Sequence, residues 1–429
     1  MQVDLIVHSA QQLLTLSGGP QRGDQLGNLE LIQNGAVAVL DDKLIAVGPT
    51  QAIQGSHTAN LEIDATGCVV MPGFVDPHTH IVWTGDRAAE FEQRIAGATY
   101  TEIMAAGGGI MSTVRQTRKA SVTQMVKETH NRAWRMISNG TTTAEAKTGY
   151  GLEFTTEIKM LQAIFQLNKW GPLELIPTFL AAHAIPEEYT DHSLAYTELI
   201  SNEMLPALLD WWMEHHPSQK LPFVDVFCEN GAFDLEESRI ILTKAKNLGF
   251  PLKIHADEFD GLGGTGLAVE LGATSADHLV ETPAEDIAAL GRSNTVAVAL
   301  PCTPFGLAEA KYTPAKHILS AGGILALASD LNPGTAWCEN MQFVIALACR
   351  YLRLTPAQAI SAATINAAAA IGLNDRVGSL ETGKQADMIV LDIPDYRHLG
   401  YRFGTNLVST VIKKGEIVFE RSGKREKWT

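Results

Sequence analysis

VVMPGFVDPHTH, residues 69–80, is a short β-forming apolar run that closes on polar residues, with His78 and His80 two apart at its end. In extended chain, residues two apart project to the same side, so the two imidazoles form a compact pair of metal donors. Downstream the same texture recurs as TTTAEAKTG, LELIPTFLAAH, FVDVFCEN, PLKIHADE, TSADH, TVAVALP and ILALASD, separated by helical stretches of ten or more residues. With the first, these make eight apolar runs. Eight is the number that closes a (β/α)8 barrel of the TIM type, and a segment of about 300 residues fits one. The spacing predicts an α/β barrel over residues 71–372, with more than one helix in the long stretch 81–140.

Outward from the barrel, residues 1–70 read as short strands broken by turns (VDLIV, LELIQNG, AVAVLDDKLIAVG), and an antiparallel unit is expected there. Residues 373–429 repeat the pattern in GSLETGKQADMIVLDI and STVIKKGEIVFE. The two ends are expected to meet as one small β-sandwich domain bracketing the barrel.

The chain of 429 residues is 19% charged and 45% hydrophobic, as expected of a packed globular protein. Its net charge of −15 disfavours nucleic acid and anionic membrane surfaces, and points to a small-molecule substrate. Cys68, Cys228, Cys302, Cys338 and Cys349 are scattered singly, so they predict reduced thiols in a cytoplasmic protein. The start MQVDLIVHSAQQLL lacks a basic segment before its apolar stretch, and no apolar run reaches membrane-spanning length. Barrels with exposed helices commonly pair, so a homodimer is an open expectation.

Barrel chemistry gathers at the C-terminal ends of the strands. There the sequence places His78 and His80, then His183, His255 with Glu258 behind it, His278, and Asp330. Imidazole nitrogen and carboxylate oxygen suit zinc or iron(II), with a position left for water. One histidine at a strand end means little; several at separate strand ends form a set. The remaining histidines fall in helices, loops or the terminal β unit and read as ordinary surface or core residues.

PGFVDPHTH after an N-terminal β unit, the histidines of the fifth and sixth runs, the aspartate of the eighth and the re-entry GSLETGKQADMIVLD resemble the metal-dependent amidohydrolase superfamily over essentially the whole chain. Within it, AEAKTGYGL, LAAHAIP, KIHADEF, ADHL and ALASDLNPGT are similar to the members that open an imidazolone ring in histidine degradation. The resemblance implies one zinc or iron ion held by His78, His80, His255 and Asp330. Many superfamily members bridge two metals with a carboxylated lysine on the fourth strand; the fourth run here, FVDVFCENGAF, has none, and Lys147 on the second reads as structural. The implied reaction is hydrolysis of 4-imidazolone-5-propanoate to N-formimidoyl-L-glutamate. Asp330 would move the proton, His278 would stabilise the oxyanion, and Glu258 would meet a ring N–H. Arg87 would hold the propanoate, with Tyr100, Tyr150, His183, Asn332, Gly334 and Thr335 as further substrate contacts.

Two rivals stand beside this. A deaminase of a purine or pyrimidine ring would use the same ligands, although an unpaired Arg87 would be costly beside a neutral ring. A catalytically silent barrel would keep the fold without the metal. Gly261-Leu262-Gly263-Gly264-Thr265-Gly266 matches the dinucleotide pattern G-x-G-x-x-G, but it sits in the fifth βα unit with no first-strand βαβ half before it.

Overall fold

The computed structural model describes residues 1–98, 102 and 107–421. Eight parallel strands run in strict sequence order around the barrel. They are β1 (Phe74–Asp76), β2 (Thr141–Lys147), β3 (Glu174–Ala182), β4 (Phe223–Cys228), β5 (Lys253–Ala256), β6 (Ser275–His278), β7 (Val296–Ala299) and β8 (Ile324–Leu327). Runs such as VAVA and ILAL are wholly buried, as strands covered on both faces must be. Alternation sends Val75, Phe223, Val296, Val298, Ile324 and Ala326 into one packed cluster with the helix Ile365–Ala370.

The first and last strands meet beyond their regular spans. His80 N–H donates to Leu331 O at 2.9 Å, Asp330 N–H to His78 O at 3.2 Å, and Ser329 N–H and Oγ to Asp76 at 3.1 and 2.5 Å. The seam that closes the barrel therefore carries the H-x-H pair and Asp330 across from each other.

The chain ends build a second eight-stranded sheet. Its order runs Glu416–Glu420, Val408–Lys413, Met388–Leu391, Val69–Pro72, Gln2–Leu14, Leu31–Leu40, Lys43–Pro49, with Thr58–Asp64 added on Gln2–Leu14. It is mixed, not purely antiparallel: the long first strand pairs parallel with Thr58–Asp64 along its first half and with Val69–Pro72 near its end. A register shift between Val7 and Ala10 divides these two pairings. The sheet folds over a core of Leu5, Val39, Leu44, Met388, Val390 and Ile412, and Leu44 N–H reaches Lys384 O at 2.9 Å. Val69–Pro72 spans the expected junction at 70/71 and leads into β1 through Gly73 alone, where a Cβ would lie 2.4 Å from the Thr142 side chain.

Barrel and sheet are joined by charge. Glu174, at the start of β3, accepts from Arg376 Nη2 at 2.5 Å and from Lys413 Nζ at 3.1 Å. Burial alone would raise its pKa, but Lys413 and Arg376 overrule that and hold it at about 2. A depressed carboxylate stabilises the fold above its unfolded value and loses the effect as pH falls toward its folded value. Glu174→Gln should therefore cost about 3 kcal/mol at pH 7, with the cost shrinking between about pH 4.5 and 2, as measured by denaturant unfolding across that range.

Candidate metal centre and active site

His78 and His80 leave the barrel at the end of β1, His255 projects from β5, and Asp330 follows β8; all four side chains are buried. Nε2 of His80 stands 3.3 Å from Nε2 of His255 and 3.6 Å from Asp330 Oδ1, while Nε2 of His78 stands 3.5 Å from the same oxygen. Ligands placed tetrahedrally at 2.0–2.1 Å from an ion lie about 3.4 Å apart. The spacing, and a His78 Nε2 left without a hydrogen-bond partner, fit a metal ion. Burial, reinforced at His78 by Lys147 and at His80 by His183, holds both imidazoles well below their ordinary pKa, so they are neutral and able to coordinate.

The far nitrogens of two of these rings meet carboxylates. His78 Nδ1 donates to Asp277 Oδ2 at 2.6 Å, and His255 Nδ1 lies 3.1 Å from Asp225 Oδ2. An ionised carboxylate only accepts, so His78 Nδ1 carries the proton and Nε2 keeps its lone pair for the ion. Asp277 stands with His278 at the end of the sixth run, whereas Asp225, inside the fourth, is a partner that a scan of strand ends passes over. Their signal was an acid inside an apolar run, FVDVF and TSADH, at the inward phase of the alternation. Lys147 lies among these acids, its ammonium facing Glu145 at 2.9 Å and Asp225 at 2.7 Å.

The rim holds the remaining polar groups. His278, at a backbone φ of +80°, faces Glu258 with Nδ1 to Oε2 at 3.5 Å, and its carbonyl accepts from Thr313 Oγ1 at 2.6 Å. A non-glycine residue there is strained, which the surroundings must hold in place. Asp330, at φ +54°, accepts a 2.6 Å hydrogen bond from Thr303, a partner the sequence did not single out. Burial raises Asp330 to a pKa of about 6 against that hydrogen bond, and burial with Asp330 and Glu229 nearby lifts Glu258 well above the carboxylate range. His183 stacks on His80 with ring centres 4.6 Å apart, Nδ1 fixed on Gly149 O at 2.9 Å; Tyr150 packs 5.9 Å from His80 and 5.4 Å from His183.

Arg87 caps the helix Ala88–Ile95, and its Nε donates to Glu90 Oε2 at 2.7 Å. It is therefore not an unpaired cation, and burial cost alone does not exclude a neutral ring. Its guanidinium reaches across to the loop after β8: a Cβ on Gly334 would lie 2.4 Å from Nη1, so the glycine makes room for it. That loop is pinned by Asn332, whose Oδ1 accepts from the N–H groups of Gly334 and Thr335, both at 2.8 Å. Thus Arg87, Gly334, Asn332 and Thr335 come together, as do His183, Tyr150 and the metal donors; Tyr100 lies outside the described residues. The glycines of residues 261–266 hold no dinucleotide feature: Asp257 itself accepts from the N–H groups of Gly263, Gly264 and Thr265, filling the turn with the chain's own carboxylate.

An eight-stranded α/β barrel with imidazole and carboxylate groups converged at its C-terminal mouth is an arrangement suited to holding a metal ion that activates water. Two models described as amidohydrolase family match residues 61–149 and 229–418. An adenosine deaminase from Xanthomonas campestris, solved with bound zinc, shares the fold at a TM-score of 0.68 and 17% identity, over 97% of this chain and 93% of that one. Imidazolonepropionase of Herpetosiphon aurantiacus is 53% identical over 97% of both chains, and that of Chloroflexus aggregans is 49% identical over 97% of this chain and 98% of its own. The chain belongs to the imidazolonepropionase family.

Because His78 and His80 are neutral and Asp330 is protonated below its pKa of about 6, metal uptake at low pH must displace the Asp330 proton. Affinity for added zinc should hold between pH 7 and 8 and fall as pH drops through 6, and Asp330→Asn should flatten that profile; competition with a chromophoric chelator measures both.

Proposed function

We propose that this protein hydrolyses the cyclic amide of 4-imidazolone-5-propanoate to N-formimidoyl-L-glutamate, the hydrolytic step of histidine degradation, with one zinc or iron(II) ion held by His78, His80, His255 and Asp330. The observation that carries this reading is the pairing of converged metal donors with Arg87, whose guanidinium meets Gly334 on the loop that follows Asp330. Family membership supplies the reaction class, and cysteines scattered singly at Cys68, Cys228, Cys302, Cys338 and Cys349 suit a cytoplasmic setting. Among the described residues no helix is long and apolar enough to cross a membrane.

When bound, the ion supplies Lewis acidity toward the amide carbonyl and lowers the pKa of a water. Asp330, with a pKa near neutrality, takes the proton of the attacking water and returns it to the departing ring nitrogen. His278, held neutral by burial, donates a hydrogen bond to the oxygen that becomes anionic. Glu258 is kept a neutral carboxyl, so it offers the heterocycle both an O–H donor and an acceptor oxygen. Arg87 takes the propanoate, with Glu90 on Nε fixing the plane of its fork. Tyr150 and His183 wall the ring beside His80.

The test is the decay of imidazolone absorbance, with substrate generated in situ from urocanate and the product identified by mass. Metal-dependent formation of N-formimidoyl-L-glutamate is expected; ammonia release without ring opening would instead mark a deaminase. Arg87→Ala should raise KM about 10–100-fold with little change in kcat, the loss of a charge-assisted contact. Asp330→Asn should lower kcat by about 10³-fold or more in a folded protein. An unchanged KM in Arg87→Ala would remove the propanoate assignment.

A further inference from the structure

Inside the barrel, directly beneath the metal donors, lie five fully buried charged side chains: Glu145 and Lys147 from β2, Asp225 from β4, Lys253 from β5 and Asp277 from β6. Lys147 Nζ stands 2.9 Å from Glu145, 2.7 Å from Asp225 and 3.8 Å from Asp277. Lys253 Nζ stands 3.4 Å from Glu145 and 3.5 Å from Asp277, and donates to Pro77 O at 2.8 Å. Two ammonium groups thus face three carboxylates where most barrels pack branched apolar side chains.

Such a cluster is expensive to bury, and isosteric apolar packing would give equal or greater stability, so its retention asks for a second purpose. Its geometry supplies one. The two outer acids are those that meet the far nitrogens of metal-donor histidines, Asp277 on His78 and Asp225 on His255. Lys147 is the one side chain among the five that neighbours both. Lys253 lies close to Asp277 and also ties down the carbonyl of Pro77, next to His78. Three carboxylates left together without a cation would repel and turn away from one another. With the ammonium between them, each acid shares one oxygen between Lys147 and an imidazole: Asp225 Oδ2 lies 2.7 Å from Lys147 Nζ and 3.1 Å from His255 Nδ1, and Asp277 Oδ2 lies 3.8 Å from Lys147 Nζ and 2.6 Å from His78 Nδ1.

Resting on the metal site proposed above, we infer that Lys147 is a positioning residue for the metal: through Asp225 and Asp277 it fixes the ring orientation and tautomer of His255 and His78. One buried ammonium thereby governs two ligands on opposite sides of the site without touching either.

The test uses the full-length protein and zinc or cobalt(II) alone. Zinc affinity is measured by chelator competition in the wild type, Lys147→Met, Asp277→Asn and the double variant, and the cobalt(II) protein is read by its visible absorption. Lys147→Met and Asp277→Asn should each weaken zinc binding about 10–100-fold. The double variant should lose less than the product of the two, and the cobalt bands should shift in both single variants. Affinity within two-fold of wild type and unchanged cobalt bands in folded Lys147→Met overturn the inference while leaving the metal site standing. Should Lys147→Met not fold, Asp277→Asn decides alone: an unchanged zinc affinity there removes the arm through which Lys147 would act. A wild-type protein that binds no zinc removes the site and the inference together.

Discussion

The seam between β1 and β8 is the constraint on which the site depends. A barrel must close on itself, and here the closing hydrogen bonds run from His80 N–H to Leu331 O and from Asp330 N–H to His78 O, so three of the four residues they join are proposed metal donors. Folding the barrel and assembling three of the four donors are therefore one event. The fourth, His255, arrives from across the barrel on β5, and its Nε2 lands 3.3 Å from that of His80 because both strands end at the same level. His78, His80 and Asp330 lie just past their strand ends, and the seam hydrogen bonds hold those short segments in place, which gives the site precision.

Much of this was legible in the sequence because the relevant signals are local. Apolar runs ending in polar residues mark strands and their C-terminal ends, and H-x-H in extended chain fixes a pair of donors. What escaped was non-local. Asp225 and Asp277 matter through the histidines of other strands, and neither FVDVF nor TSADH says which ring its acid will meet. Thr303 becomes a partner of Asp330 only when β7 lies beside β8. Glu90 stands three residues from Arg87, so this pair is local, but a cation at a helix start can serve its own helix or a substrate anion and the sequence does not choose between them. The terminal sheet shows the same limit: alternation identifies strands but is blind to their direction, so the parallel pairings of Gln2–Leu14 could not be read.

The electrostatics of the site run against those of the surface. A chain of net charge −15 keeps His78, His80, His183 and His278 neutral and two of its mouth carboxyls, Asp330 and Glu258, above the ordinary range, by burial in each case. Where charge is unavoidable it is paired below the mouth, around Lys147 and Lys253, or folded inward, as when Asp257 takes the N–H groups of the glycine turn. The mouth is thus left with few fixed charges, and an incoming ion or carboxylate meets groups whose protonation its own charge can settle.

The single glycine between Val69–Pro72 and β1 has a consequence for how the molecule could be dissected. The strand that bears His78 and His80 is the continuation of one clamped between the first and the third-last strands of the terminal sheet, Gln2–Leu14 and Met388–Leu391. There is no slack in that joint. The barrel is accordingly not a portable module: trimming either terminus, or transplanting the eight βα units onto another scaffold, would unmoor at its root the first barrel strand, which leads to His78 and His80. The terminal sheet serves as the foundation from which the donors are aimed.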